Sequence, residues 1–194
     1  SVIRTSLPAD ASSKTLAMEN AVTDMQRLIA TRLQRAAAST RRSMAQAVDV
    51  RTQVERLVQS LKRVYSQQLI NTDLIIEDSL AFYGEQRDLL ELAGNLLDNA
   101  FKYGGGQVQV SAQTIDSADP RVGINLQVED NGPGIAEEKC AQLLKRGVRG
   151  DERVEGHGLG LAIVLEIVSA YNGDISIQHS DLGGACVCVS LRTR

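Results

Sequence analysis

Asn95 and Asn99 stand four residues apart in a run otherwise built of good helix formers, so their amides share one helix face. Asparagine is a mediocre helix former, and two of them stacked on one face ask for a chemical reason. Their carbonyl oxygens are neutral, hard donors of the kind that supply one or two ligands to Mg²⁺, with phosphate oxygens and water completing the octahedron. Lys102, three residues past Asn99, can reach a phosphate as a point charge, and Tyr103 can offer an aromatic face to a base. A solvated polar stripe with the tyrosine in the core would use the same residues.

A second group is Val128-Glu129-Asp130-Asn131-Gly132-Pro133-Gly134-Ile135. Here a strand pattern ends in carboxylates and a Gly-Pro-Gly turn. Asp130 can accept a hydrogen bond from an exocyclic amine such as that of adenine, and Gly132 and Gly134 permit close backbone approach. Taken alone, an ordinary turn capped by an aspartate is the plainer reading. The third group is Gly156-His157-Gly158-Leu159-Gly160-Leu161, which opens an apolar helix whose first N–H groups and dipole suit phosphates. It follows a charged segment rather than a strand, so it is not a dinucleotide fingerprint.

These groups need a scaffold, and the apolar spacing supplies one. Residues 14–38 lack Gly and Pro and place Leu16, Val22, Met25, Ile29, Leu33 and Ala36 in one stripe, which predicts an amphipathic helix. A break at residues 8–13 precedes it, and the small, basic residues 38–44 suit a linker. A second domain follows. A short strand is expected at 48–50, helices at 51–65, 86–103 and 159–170, and strands at 72–76, 107–112, 123–129, 174–178 and 185–191. Residues 136–158 read as a long mobile loop. The order mixes helices with antiparallel strands, which predicts an α+β sandwich with helices over one face of a mixed sheet.

The chain has 194 residues, 43% hydrophobic and 23% charged, and a formal net charge of −3. This describes a folded globular chain with no global pull toward nucleic acid, and no apolar run approaches a bilayer span. The three cysteines lack metal-type spacing. Cys186 and Cys188, two apart in a strand and on one face, read as free thiols of a reducing compartment, with a redox switch as the alternative.

Together, in this order, the three groups resemble the asparagine box and the two glycine boxes of the GHKL superfamily of ATP-binding domains. The resemblance is to the sensor histidine kinases, and within them to the PhoQ-type kinases. It runs through Asn95-Leu96-Leu97-Asp98-Asn99-Ala100-Phe101-Lys102-Tyr103, through the 128–135 group, through Gly183-Gly184-Ala185 and through Leu33-Gln34-Arg35-Ala36. It implies a two-layer sandwich of the Bergerat type, over residues 45–194. Residues 1–44 would be the remnant of a dimerisation and phosphotransfer hairpin whose acceptor histidine is absent.

The resemblance also implies roles. Asn99, with Asn95, would hold Mg²⁺ against ATP. Lys102 would meet phosphate, Tyr103 the base or ribose, and Asp130 the adenine amine, in a pocket shaped by Gly132, Gly134 and Ile135. The segment 136–155 would be the ATP lid, with Arg149 its leading phosphate contact among Lys145, Arg146, Arg149 and Arg153. Gly156, His157, Gly158, Leu159, Gly160 and Leu161 would bring backbone to the phosphates. His157 stands where a Gln is usual, Val154 where an Arg is expected, and Leu143-Leu144-Lys145-Arg146-Gly147 where the lid's aromatic pair belongs. All three departures bear on lid geometry.

Hydrolytic members of the superfamily carry a Glu four residues before the Asn-Ala pair; here that position is Asn95, and an amide cannot take a proton from water. The expectation is a kinase domain: in the intact protein the γ-phosphoryl group goes to a histidine and then to an aspartate of a response regulator. The parent would be a homodimeric inner-membrane sensor, this part of it cytoplasmic. The chain itself would bind Mg-ATP without autophosphorylating, since its two histidines, His157 and His179, do not sit in an acceptor motif. The alternatives are a GHKL ATPase or chaperone module, which Asn95 opposes, and a nucleotide-free interaction module, which Asn99, Asp130 and the glycines oppose.

Overall fold

The computed structural model of the chain describes residues 47–116, 118–136, 140, 143 and 160–193. By its contacts the chain divides into two units, Ser1–Met44 and Ala45–Arg194, and the described residues all lie in the second.

The elements follow from local chemistry. Strand β1 is Val48–Asp49, and helix α1, Val50–Val64, starts directly after it. Asp49 caps α1, its Oδ1 accepting from the Thr52 N–H at 2.6 Å. Val50 therefore belongs to the helix and not to the expected strand. Strands β2 (Asn71–Ile76) and β3 (Ala81–Phe82) precede helix α2 (Gln86–Tyr103). On α2 the buried residues Leu89, Leu92, Ala93, Leu96, Leu97, Ala100 and Phe101 repeat at three and four, the stripe the sequence predicts. Strands β4 (Gln107–Thr114) and β5 (Gly123–Asp130), helix α3 (Gly160–Ala170) and strands β6 (Asp174–His179) and β7 (Ala185–Arg192) complete the domain.

The main sheet has five strands in the order β2-β4-β5-β7-β6, with β2 parallel to β4 and the other pairs antiparallel. β1 and β3 form a separate antiparallel pair in which Val48 faces Phe82. Register assigns each strand residue to a face. One row carries Val110, Val128 and Val187, and its neighbour Ala112, Leu126, Val189 and Ile175. This face meets the helices: α1 lies against β2, α2 against β5, and α3 against β6 and β7, while α2 packs between α1 and α3. The fold is thus an α+β sandwich, as expected. The opposite face carries Gln109, Gln127, Cys188 and Ser176, and it is polar.

β3 and a short 3₁₀ turn at Pro120–Val122 were not expected from the sequence. β3 is two residues long, too short for any period to show, yet Phe82 is fully buried against Tyr171, with ring centroids 5.2 Å apart. Tyr171 also ties the end of α3 to the start of α2. Its hydroxyl accepts from the Glu85 N–H and donates to the Asp88 carboxylate. Of residues 136–158, the structure describes Ala136, Cys140 and Leu143; the last two carry helical backbone, where a loop was expected.

Candidate functional site

The site is built where the C-terminal end of α2 meets the C-terminal end of β5. Helix α2 stops at three glycines, with the Gly104 N–H returning to the Ala100 carbonyl. Asn131 fastens the end of β5 to the start of β4: its Oδ1 accepts from the Gln107 N–H at 2.8 Å and its own N–H donates to the Gln107 carbonyl. The two ends then touch. A Cβ on Gly132 would lie 2.4 Å from the Tyr103 carbonyl oxygen, so only glycine allows the asparagine helix and the aspartate strand to meet here.

Asp130 is 9% exposed. Its Oδ1 accepts from the Gly132 N–H at 2.8 Å and from the Ala185 N–H at 3.2 Å, and its main-chain carbonyl accepts from Gly184. No partner holds Oδ2 among the described residues. One carboxylate oxygen is fixed by backbone donors, and the other is left to accept from a ligand. Gly184 makes this possible, since a Cβ there would lie 2.2 Å from Asp130 Oδ1. Gly184 and Ala185 belong to the segment that carries the family resemblance, but the sequence reading gave them no role at the site; the paired glycines were the available signal.

Along α2 the predicted residues do share a face. Asn99 is half-buried and its amide has no hydrogen-bond partner among the described residues. One turn back, Asn95 Nδ2 donates to the Glu91 carbonyl at 2.6 Å, which orients its Oδ1 toward α3. A Cβ on Gly160 would stand 2.7 Å from that oxygen. Gly160 therefore lets α3 approach the asparagine face, while Leu161 packs on the core. Lys102 is exposed, its Nζ 5.0 Å from the centre of the Tyr103 ring. Tyr103 is 43% exposed, which removes the reading of it as a core residue.

Beyond Asp130 the turn carries Gly134 at φ +72°, a left-handed conformation that favours glycine, and Ile135 with its side chain partly open to solvent. His179, at the end of β6, lies at the rim; its Nδ1 would be 3.8 Å from a Cβ on Gly134. The structure thus places Asn95, Asn99, Lys102 and Tyr103 along α2, Asp130, Gly132, Gly134 and Ile135 at the end of β5 with Gly132 against Tyr103, and Gly160 against Asn95, while Leu161 packs on the core. Arg149, Gly156, His157, Gly158 and Leu159, with Lys145, Arg146, Arg153 and Val154, lie outside the described residues.

A hydrogen bond from α1 supports the site. The Tyr65 hydroxyl donates to Asp98 Oδ1 at 2.9 Å, one residue before Asn99. Burial and then the Asp98 carboxylate push the Tyr65 pKa above its ordinary value, since both disfavour the phenolate.

Known proteins resemble this sequence and share this fold. Residues 84–194 match the family model described as histidine kinase-, DNA gyrase B-, and HSP90-like ATPase. The chain is 37% identical over 140 residues to the two-component sensor PhoQ of Pseudomonas aeruginosa, an alignment that covers 72% of this chain and 30% of that protein. It is 39% identical over 132 residues to the virulence sensor histidine kinase PhoQ of Salmonella typhimurium, over 68% of this chain and 26% of that one. It therefore spans less than a third of the length of these relatives. Among solved structures, the ATP binding domain of PrrB from Mycobacterium tuberculosis superposes with a TM-score of 0.60 at 26% identity, over 76% of this chain and 96% of that one. The matched stretch spans the positions of all three sequence groups, and the chain belongs to the family of histidine kinase-, DNA gyrase B- and HSP90-like ATPases.

Proposed function

We propose that the chain is the ATP-binding catalytic domain of a two-component sensor histidine kinase. The observation that carries this reading is the divided carboxylate of Asp130: Oδ1 is saturated by two backbone N–H groups while Oδ2 has no partner among the described residues. An open acceptor on an otherwise buried carboxylate selects a ligand that presents a donor, and the exocyclic amine of adenine is one. Tyr103 and Ile135 offer apolar surface to the base and ribose. Lys102 and Arg149 are cations for the phosphates, and the backbone from Gly156 to Leu161 supplies N–H donors around them.

Asn99 fits Mg²⁺, because its amide is uncommitted and its oxygen is a hard neutral donor. Asn95 fits as a second contact through Oδ1, its Nδ2 being held by Glu91. Mg²⁺, when bound, neutralises phosphate charge and fixes the phosphate oxygens; the side chains hold base and phosphates in register with the acceptor.

Residues 1–44 are proposed to belong to a helical dimerisation hairpin. The parent is proposed to be a homodimeric inner-membrane sensor that passes the phosphoryl group to a histidine and then to an aspartate of a response regulator. No described helix is long and apolar enough to cross a membrane. The rival reading, a hydrolytic ATPase of the same family, needs a carboxylate where Asn95 stands.

The test is calorimetric titration of the chain with a non-hydrolysable ATP analogue, with and without Mg²⁺, beside Asn99→Ala. The expected result is Mg²⁺-enhanced binding whose enhancement the variant loses. Binding with no Mg²⁺ dependence would overturn the role of Asn99, and no binding would overturn the domain assignment. Incubation with γ-labelled ATP should leave no stable label on the chain.

A further inference from the structure

Cys186 and Cys188 are unused by the nucleotide site. They lie on the open, polar face of the sheet, on the strand that closes the pocket. Register pairs Cys186 with Glu129, the residue before Asp130, and Cys188 with Gln127. Ala185, the residue before Cys186, is the one whose N–H holds Asp130 Oδ1. The two sulfurs are 3.4 Å apart, in direct contact. Cys186 is buried, whereas Cys188 is half-buried and lines a trough in the sheet face with Ser111, Asn125, Gln127 and Ser176. A small reagent can therefore reach one sulfur and find the other already in contact with it.

We propose that Cys186 and Cys188 form a dithiol that a low-molecular-weight disulfide converts reversibly to an intramolecular disulfide, and that closure weakens nucleotide binding. The coupling half of this proposal rests on the nucleotide-binding reading above; the chemical half does not.

The step balances. The Cys188 thiolate attacks one sulfur of the small disulfide and expels a thiolate, leaving a mixed disulfide on Cys188. Cys186 then attacks the Cys188 sulfur, the second small thiol leaves, and the Cys186 proton passes to it. Two protein thiols are oxidised and one small disulfide is reduced to two thiols. The order follows from the surroundings. Cys188 is half-buried at the trough and Cys186 is buried, so the reagent meets Cys188 first and Cys186 resolves; burial, the adjacent Cys188 and Glu129 raise the Cys186 pKa, which slows closure without changing its order.

Closure must distort β7. A strand rise of ~3.4 Å puts alternate Cα atoms about 6.8 Å apart, the upper end of what a disulfide spans. The strand has to pucker between residues 186 and 188, beside the Ala185 and Gly184 donors that hold Asp130. Nucleotide binding needs Ala185 and Gly184 held against Asp130, so a puckered strand should bind nucleotide more weakly than the flat one.

The experiment uses the full chain carrying Cys140→Ser, which removes the third thiol. The reduced protein is first titrated with an ATP analogue, so that a failure of nucleotide binding is seen separately. It is then treated with oxidised glutathione and read by intact mass. The expected product is two hydrogens lighter, free of adduct, reversed by dithiothreitol and weaker for the analogue than the reduced protein. Adding Cys186→Ser should trap a glutathione adduct on Cys188, and adding Cys188→Ser should leave the protein unmodified. A lasting adduct with both cysteines present would overturn the dithiol. A disulfide that leaves affinity unchanged would overturn the coupling. If the Ser variant at 186 does not fold, Cys186→Ala makes the same prediction.

Discussion

Replacing Asp130 by Asn separates the two jobs of its carboxylate. Oδ1 accepts from Gly132 and Ala185, and an asparagine carbonyl oxygen can keep both bonds. That choice fixes the other end as an NH₂ group, because turning the amide over would aim two donors at two backbone N–H groups. The position of Oδ2 then becomes a donor facing the donor of adenine. A hydrogen bond to a charged group contributes about 1.5–3 kcal/mol, so at 1.4 kcal/mol per decade the affinity for an ATP analogue should fall about ten- to a hundredfold. Thermal unfolding should hardly change, because the backbone bonds survive. The same variant should also bind a 6-oxopurine triphosphate better, relative to ATP, than the wild type does, since the new NH₂ group can donate to the 6-oxo oxygen. Calorimetric titration with the two nucleotides, with a melting curve on each protein, decides the matter. Asp130→Asn binding the ATP analogue within about twofold of wild type would refute the assignment of Oδ2 to the adenine amine.

Further outcomes test the supports of the site. Gly184→Ala should destabilise the domain by about 1–3 kcal/mol and abolish measurable nucleotide binding, because the added methyl meets Asp130 Oδ1, the Asp130 carbonyl and the Gly132 nitrogen; chemical denaturation and titration check both. Tyr65→Phe should cost about 1 kcal/mol at neutral pH through the lost bond to Asp98. Because the folded pKa of Tyr65 is raised, its advantage over Phe is complete below the ordinary tyrosine pKa and is lost as pH rises through the folded value; denaturation midpoints of the pair should converge in alkali. Asp49→Ala should cost about 0.5–1 kcal/mol at neutral pH through loss of the α1 cap. The side-chain and then the backbone hydrogen bond of Thr52 hold the Asp49 pKa below its ordinary value. That stability is present above the unfolded pKa and lost as pH falls through the folded one, so the two proteins should converge in strong acid.

What could be read in the sequence was periodic or local. The stripe on α2 and the alternation in β4, β5 and β7 announce their faces, so the sandwich and the shared face of Asn95 and Asn99 followed from spacing alone. Capping was local too: Asp49 before the apolar run of α1 explains why Val50 is helical. Strand order was not legible, because the pairing of β2 with β4 and of β5 with β7 joins residues far apart in the chain. The same holds for β3, whose burial against Tyr171 depends on a residue 89 positions away.

The pocket itself was half legible for a related reason. Residue chemistry identified Asp130 as an acceptor, but a lone aspartate beside a Gly-Pro turn is as well explained by a cap. Indeed its Oδ1 does cap the turn at Gly132. The ambiguity ends only with the second donor, Ala185, brought in by the antiparallel pairing of β5 with β7 and by the missing side chain of Gly184. Two donors saturate one oxygen and fix the direction of the other. At Asn95 the bond from Nδ2 to the Glu91 carbonyl sets the direction of Oδ1, and the missing Cβ of Gly160 lets α3 face it closely. At both positions the reactive residue declares its type in the sequence, hydrogen bonds fix where it points, and a glycine from a distant element leaves the room for it.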